Sequence, residues 1–281
     1  MGTAGTIVIG GGLTVNRLGF GAMRLCGPGI WGDPPDRDAA LSVLRRAVEL
    51  GVNFIDTADA YGPDANERLI ADALHPYPAG LVIATKGGIV RPSAERWERD
   101  GRPSHLREAC EASLRRLRVD CLDLYQLHAI DPLVPLEESL AEIARLQREG
   151  KVRHVGVSNF TSGELARARR VVNVVSVQNR YNISDRTSDA VLATCERDGI
   201  AFIPWSPLSQ SPREPREGPR ARLAAWAQAQ GVSFAQAATA WLLARSPAML
   251  PIPGTSRLPH LEENLAAGGR MPTAADLATI G

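Results

Sequence analysis

The sequence predicts an α/β protein, a (β/α)8 TIM barrel opened by an N-terminal β-hairpin and formed as a single domain over residues 1–281. Three observations predict it. Short apolar runs alternate with amphipathic stretches along the chain, the pattern of βαβ units and a parallel sheet. Eight such runs can be marked after the hairpin, a count that favours closure over an open sheet. The length of 281 residues matches one barrel of about 250 residues with modest additions.

The hairpin comes first. Thr6-Ile-Val-Ile9 and Leu13-Thr-Val15 flank Gly10-Gly11-Gly12, a glycine turn between β-branched runs. The barrel strands follow at 17–21, 53–56, 81–86, 123–128, 152–158, 174–179, 201–204 and 249–251. They are apolar on both faces, as buried parallel strands are. Helical patterns occupy 38–50, 64–74, 104–117, 137–148, 162–170, 188–197 and 233–245. Several begin with Ser or Asp and several end against Gly51, Gly150 or Gly199, the residues helix ends prefer. Residues 209–220, SQSPREPREGPR, break this rhythm and are expected to form a long non-helical rim loop.

A doubly wound open sheet is the rival, since pattern alone does not exclude it. A dinucleotide-binding open sheet wants G-x-G-x-x-G after its first strand. Neither Gly10-Gly11-Gly12 nor Gly19-Phe20-Gly21 has that spacing, so any nicotinamide cofactor must be held another way.

Composition excludes several classes. The net charge of +1 leaves no electrostatic footprint for nucleic acid or an anionic membrane. No apolar run approaches membrane-spanning length. Cys26, Cys110, Cys121 and Cys195 are scattered and suggest neither disulfides nor a metal site. With no secretion signal at the N-terminus, the expectation is a cytoplasmic protein of free thiols.

Barrel chemistry sits at the carboxyl ends of the strands. There the sequence delivers Asp56 with Tyr61 five residues on, Lys86, His128, Ser158-Asn159 and Gln178-Asn179. Singly, each has an ordinary reading: a turn-capping Asp, a snorkelling Lys, a structural His, a loop aromatic. Together they make a coherent acid. A phenol of pKa about 10 is a poor acid near neutrality, and a neighbouring ammonium is expected to lower it. Lys86 supplies that ammonium, Asp56 pairs it, and His128 orients a carbonyl oxygen. The expected reaction is hydride delivery to a carbonyl carbon with a proton delivered to its oxygen.

The run Gly51-Val-Asn-Phe-Ile-Asp-Thr-Ala-Asp-Ala-Tyr-Gly62 resembles the signature of the aldo-keto reductase superfamily. So do Ala84-Thr-Lys86, Leu124-Tyr-Gln-Leu-His128, Gly150-Lys-Val-Arg-His-Val-Gly-Val-Ser-Asn159, Val177-Gln-Asn-Arg-Tyr181, Trp205-Ser-Pro-Leu208 and Ile252-Pro-Gly-Thr-Ser256 with Glu263-Asn264. The resemblance spans nearly the whole chain, in order. It implies an NADPH-dependent oxidoreductase with Asp56, Tyr61, Lys86 and His128 as the catalytic tetrad and Tyr61 as general acid.

The resemblance also implies a cofactor lying across the barrel mouth. Gly21, Ala22 and Met23 match the first-strand rim near the nicotinamide. Asp56 is shared with the tetrad, and Ser158, Asn159 and Gln178 match the residues that hold the carboxamide. Trp205 matches an aromatic that stacks on the ring, and Ser206 and Leu208 lie beside the phosphates. The 2′-phosphate is expected near Gly254, Thr255, Ser256, Arg257, His260, Glu263 and Asn264. Here the sequence departs from the pattern, because many members have Lys at the position of Gly254 and Arg at that of His260. Arg257 can take over, which keeps NADPH/NADP+ as the expectation and leaves NADH use open. Arg213, Arg216 or Arg220 could clamp the pyrophosphate, against the alternative of a solvated loop.

The loops should wall a substrate pocket with Ile30, Trp31 and Trp97 around Tyr61 and His128, suiting flat or apolar carbonyl compounds. The first strand and the 252–264 segment resemble a bacterial branch that includes pyridoxal reductases. The implied partner is a small-molecule carbonyl substrate, met by a monomer. Two other readings stand beside this one: an NADPH-binding redox sensor or channel-associated subunit with little turnover, and a metal-dependent hydrolase built on Asp56, His128 and Asp131. The last lacks a convincing ligand cluster.

Overall fold

A computed structural model describes residues 4–208 and 217–281. The chain opens with an antiparallel hairpin, β1 (Thr6–Ile9) and β2 (Leu13–Asn16), followed by β3 (Phe20–Gly21). Then come α1 (Arg37–Glu49), β4 (Phe54–Asp56), α2 (Ala65–Leu74), β5 (Val82–Gly87), a short hairpin of β6 (Ile89–Val90) and β7 (Glu98–Arg99), and α3 (Pro103–Leu117). The alternation continues through β8 (Leu122–Leu127), α4 (Leu136–Arg148), β9 (Val152–Ser158), α5 (Ser162–Ala168), β10 (Val174–Arg180), α6 (Asp189–Asp198) and β11 (Ala201–Trp205). Four further helices close the chain: α7 (Pro219–Gln230), α8 (Phe234–Arg245), α9 (Leu258–Leu265) and α10 (Ala274–Ile280).

Seven strands form one parallel sheet in the order β3-β4-β5-β8-β9-β10-β11. The eighth barrel position is residues 249–252. Met249 bridges Phe202 in parallel register, and Leu250 N donates to Phe202 O at 2.9 Å. On the other edge Gly19 N donates to Pro251 O at 2.9 Å, so this segment joins the last strand to the first. The expected strand at 249–251 is thus a closing bridge rather than a regular strand. Pro251 has no amide hydrogen to contribute to a ladder.

Helix starts follow local chemistry. Asp36 accepts from Ala39 N at the head of α1, and Thr161/Glu164 and Ser233/Gln236 form reciprocal caps on α5 and α8. One expectation needs correction. The Pro- and Arg-rich composition of 209–220 suggests a non-helical loop throughout, yet Pro219 and Arg220 open α7. Proline is well placed in the first turn, where its missing amide costs nothing. The rest of that segment, residues 209–216, lies outside the described residues. Helices α7, α9 and α10 and the β6–β7 hairpin were not anticipated.

Two apolar cores result. The larger lies between helices and sheet, with Leu44, Ile70, Leu140, Leu165 and Trp241 among its buried members. The smaller fills the barrel: Phe54, Val82, Ala84, Leu124, Ala201, Ile203, Leu250 and Ile252. Ile9, Leu13 and Val15 of the β1–β2 hairpin belong to this inner core, so the hairpin packs into the barrel interior. Side chains alternate along a strand. The inward phase of Phe54, Ala84, Leu124 and Ile203 therefore carries Asp56, Lys86, Gln126 and Trp205 two residues further on. Polar groups arrive at one rim of an apolar barrel for that reason.

Candidate active site

The structure brings the expected tetrad together. Lys86 Nζ donates to Asp56 Oδ2 at 2.7 Å, to the Thr57 carbonyl at 2.7 Å and to the Tyr61 hydroxyl at 3.4 Å. The Asp56–Lys86 pair is fully desolvated, at 3% and 0% side-chain exposure. A charge so buried persists only where paired and hydrogen-bonded, and every lysine proton here has an acceptor. The His128 ring meets the Tyr61 ring edge-on with centroids 5.9 Å apart, and Trp97 meets it from another side at 6.5 Å.

The acid's electrostatics differ from the expectation. Lys86 was expected to bring the Tyr61 phenol below its ordinary pKa. Burial instead pushes the phenol up, Lys86 pulls it down, Asp56 pushes it up again, and the net direction is upward. The physical reason is the pairing itself: Asp56 cancels much of the lysine charge while the dry surroundings penalise phenolate. Burial also pulls the Lys86 ammonium down, but Asp56 and Tyr61 outweigh it and the net is upward. Burial first, and Lys86 second, hold His128 well below the ordinary histidine value. The resting site therefore presents a protonated phenol beside a neutral imidazole. His128 Nδ1 is buried with no hydrogen-bond partner among the described residues.

Gln126 was missed by sequence reasoning. Its Nε2 donates to Asp56 Oδ1 at 3.3 Å, alongside Gln178 Nε2 at 2.6 Å. The signal was present, since Gln126 precedes His128 by two residues and so shares its face of the strand. Asp59, Glu67 and Arg116 were also missed. Glu67 is fully buried, accepts from Thr85 Oγ1 at 2.5 Å and pairs with Arg116 at 2.6 Å behind the Tyr61 loop.

Several of the expected cofactor residues already have side-chain partners. Asn159, at φ +62°, donates to His128 O at 3.1 Å and to Ser158 Oγ at 3.0 Å, and accepts from Trp205 Nε1 at 2.9 Å. Gln178 gives one N–H of its side-chain amide to Asp56. The Ser206 carbonyl accepts from Asn182 Nδ2 at 3.0 Å. Leu208 packs partly buried against the outer core. Gly21 and Gly254 touch backbone to backbone: a Cβ on Gly254 would lie 2.4 Å from Gly21 O. Ala22 is buried beside them.

Thr255 Oγ1 accepts from Arg257 N at 3.1 Å at the start of α9. No side chain caps that helix. Ser256, Arg257 and His260 are exposed there, Glu263 is half-buried and Asn264 buried. Uncapped amides with a neighbouring guanidinium make a donor set suited to a phosphate. Of the loop arginines, Arg213 and Arg216 lie outside the described residues. Arg220 does not reach toward the site: its guanidinium lies 4.2 Å from the centroid of the Phe234 ring, between α7 and α8.

A cavity of about 730 Å³ lies one ring away from Tyr61, lined by Met23, Arg24, Ile30, Ala94, Trp97 and Ser256 among others. Ile30 and Trp97 thus wall a space, but Tyr61 and His128, expected in the same pocket, are not in its lining. Trp31 is not part of that lining and lies 5.4 Å from the Arg91 guanidinium. Asp131 accepts from Gly101 N and Leu133 N and serves its own loop, away from a metal constellation. Among the described residues no group of His, Cys, Asp or Glu has metal-binding geometry. None of their helices is long and apolar enough to cross a membrane.

A closed parallel barrel with a phenol, an ammonium–carboxylate pair and a neutral imidazole at its carboxyl rim defines a carbonyl–alcohol oxidoreductase. The chain belongs to the aldo/keto reductase family, whose model matches residues 17–280. It is 48% identical to an uncharacterised oxidoreductase of Schizosaccharomyces pombe, over 95% of this chain and 85% of that one. It is 43% identical to the pyridoxine 4-dehydrogenase of Escherichia coli, over 90% of both chains. Among solved structures, an aldo-keto reductase from Klebsiella pneumoniae in complex with NADPH superposes with a TM-score of 0.81. That match has 26% identity and covers 98% of this chain and 93% of that one.

Proposed function

We propose that this chain is an NADPH-dependent reductase of aldehydes and ketones, acting as a single-domain, monomeric enzyme of the cytoplasm, with pyridoxal among its substrates. The observation that carries the reading is the Tyr61 hydroxyl held 3.4 Å from Lys86 Nζ, itself 2.7 Å from Asp56, with neutral His128 alongside. The relatives add weight, since one is a pyridoxine 4-dehydrogenase and another was solved with NADPH.

The residues present fit such a cofactor. The Gly21–Gly254 contact gives a smooth backbone floor, Trp205 offers an indole at the strand end, and the uncapped start of α9 with Arg257 suits a 2′-phosphate. Met23, Ser158, Asn159, Gln178, Ser206 and Leu208 would complete its surroundings, and Asn159 Oδ1, which accepts from Trp205 Nε1, can accept a second bond. When bound, NADPH supplies a hydride.

The chain's own residues do the rest. Neutral His128 can donate one hydrogen bond to the carbonyl oxygen and fix its direction. Tyr61, held protonated by burial, delivers a proton to that oxygen as negative charge develops there. Lys86 then stabilises the phenolate left behind, and Asp56 keeps Lys86 in place. The apolar barrel below excludes water.

A screen of aldehydes and ketones, pyridoxal included, against NADPH and NADH tests this. Substrate-dependent loss of the reduced cofactor's absorbance, faster with NADPH, is the expected result. No loss above the control without enzyme would favour the redox-sensor reading instead. Tyr61→Phe should lower turnover by about a hundredfold or more while NADPH still binds, because the phenol moves a proton and does not hold the cofactor.

A further inference from the structure

Arg91 takes no part in the chemistry above, yet it is 8% exposed and sits where the walls of the cleft meet. Its Nη1 donates to Ile30 O at 3.1 Å. Its Nη2 donates to Gly29 O at 3.1 Å and to Ala94 O at 2.6 Å. The guanidinium lies over the Trp97 ring, 3.7 Å from its centroid. No ion pair engages it among the described residues. A buried cation with no carboxylate is costly, and here three carbonyls and an indole face offset part of the cost, while Nε has no hydrogen-bond partner among the described residues.

What it fixes can be traced. Gly29 and Ile30 have φ of +71° and +58°. A β-branched residue in the left-handed region is an outlier that persists only when its surroundings hold it. Two donors hold Ile30: its carbonyl accepts from Arg91 and also from Gly62 N at 3.2 Å. Gly62 follows the catalytic tyrosine directly. Trp97, pressed against Arg91 on one side, meets Tyr61 edge-on at 6.5 Å on another. A ring of contacts therefore runs from Tyr61 through Gly62, Ile30, Arg91 and Trp97 back to Tyr61. Ile30, Ala94 and Trp97, all touched by Arg91, line the neighbouring cavity. Trp97 is 41% exposed, and the Arg91 guanidinium covers one face of its indole.

We propose that Arg91 is a positioning residue for substrate: it locks the Gly29–Ile30 turn to the loop after β5, holds Trp97 against Tyr61, and so selects flat aromatic carbonyl compounds over small aliphatic ones. This rests on the reductase reading. A lysine does not substitute, because one ammonium lacks the planar fork that reaches three carbonyls while stacking on an indole.

The test uses Arg91→Met and Arg91→Lys in the full chain, with benzaldehyde and propanal at saturating NADPH. For both variants KM for benzaldehyde should rise about tenfold, the scale of one desolvated cation–π contact, with kcat little changed. KM for propanal should stay near the starting value. Equal KM shifts for the two aldehydes, a fall in kcat alone, or normal behaviour of Arg91→Lys would overturn the proposal. Acrylamide quenching of tryptophan fluorescence gives a readout without turnover. Quenching should increase in Arg91→Met, and the increase should vanish when Arg91→Met is combined with Trp31→Phe and Trp97→Phe. Unchanged quenching overturns the proposal. If the unaltered enzyme reduces no carbonyl, the reductase reading falls, while the quenching experiment still decides whether Arg91 holds the indoles.

Discussion

Gln178 donates its side-chain amide to Asp56 Oδ1 at 2.6 Å, which leaves the other carboxylate oxygen to Lys86. Asp56 is thus held from two sides, and the ammonium that serves Tyr61 is held through it. Lys86→Met should leave a buried, unpaired carboxylate and cost about 3–5 kcal/mol of stability along with turnover. Lys86→Met combined with Asp56→Asn should recover most of that stability and none of the turnover. Urea unfolding of the two variants and the parent checks this. If Lys86→Met is as stable as the parent, the pair is not the desolvated unit described here.

The pH profile follows from two opposite shifts. Burial holds Tyr61 protonated above its ordinary value and holds His128 neutral well below its own. Carbonyl reduction needs both states, so kcat should be flat between about pH 6.5 and 9, with neither group titrating in that window. Alcohol oxidation needs the phenolate and should rise with pH across the same range. For stability the sign is also set. A histidine whose folded pKa is depressed stabilises the fold above its unfolded value of about 6.5 and loses that contribution as pH falls through the folded one. His128→Gln should therefore narrow the acid-induced fall in melting temperature. An acid limb near pH 6.5 in kcat would show that His128 is charged in the working site.

Much of this site was legible because strand ends and alternation fix where side chains go. Asp56, Lys86 and His128 fall at the ends of adjacent strands, and the period of two keeps them inward. The direction of the Tyr61 shift was not legible. It depends on how far Asp56 cancels Lys86 and how dry the surroundings are, and both are distances and burial rather than residue types. Arg91 was invisible for a similar reason. Its partners are backbone carbonyls and indoles from two loops, and no sequence spacing marks a carbonyl. Helices α9 and α10 span only eight and seven residues, which gives little periodic pattern, and neither lies between two strands as the equally short α5 does between β9 and β10.

Gly254 turns a departure from the family pattern into a steric requirement. A Cβ there would lie 2.4 Å from Gly21 O, and one on Gly21 would lie 2.7 Å from Ile252 O. The two backbones abut at the rim where a cofactor would cross. Gly254→Lys should therefore not tighten NADPH binding. It should destabilise the chain by about 1–3 kcal/mol, as inserted atoms in a packed site do. Gly254→Ala should destabilise similarly, which separates the steric effect from charge. Arg257→Ala should weaken NADPH more than NADH if that side chain reads the 2′-phosphate. Fluorescence titration with each cofactor checks all three variants.

Asp59 lies between Asp56 and Tyr61 in the chain and carries a cost that the tetrad does not explain. It is 9% exposed, and its Oδ1 has no hydrogen-bond partner among the described residues. Arg116 is the nearby cation, but Glu67 and Asp64 hold it at 2.6 and 3.1 Å. Burial first, then Glu67, push the Asp59 carboxyl well above its ordinary range, and Arg116 only partly offsets them. An acid whose folded pKa is raised leaves the fold unpenalised below its unfolded value of about 3.9, and stability is lost as pH rises through the folded one. Asp59→Asn keeps the shape and removes the charge, so it escapes that loss. Its melting temperature relative to the parent should climb from pH 5 to pH 8 by about 2 °C or more, the scale that roughly 1 kcal/mol produces in a chain of this size. A melting-temperature difference that is the same at both pH values, or that falls with pH, would mean that the Asp59 carboxylate is accommodated in ionised form.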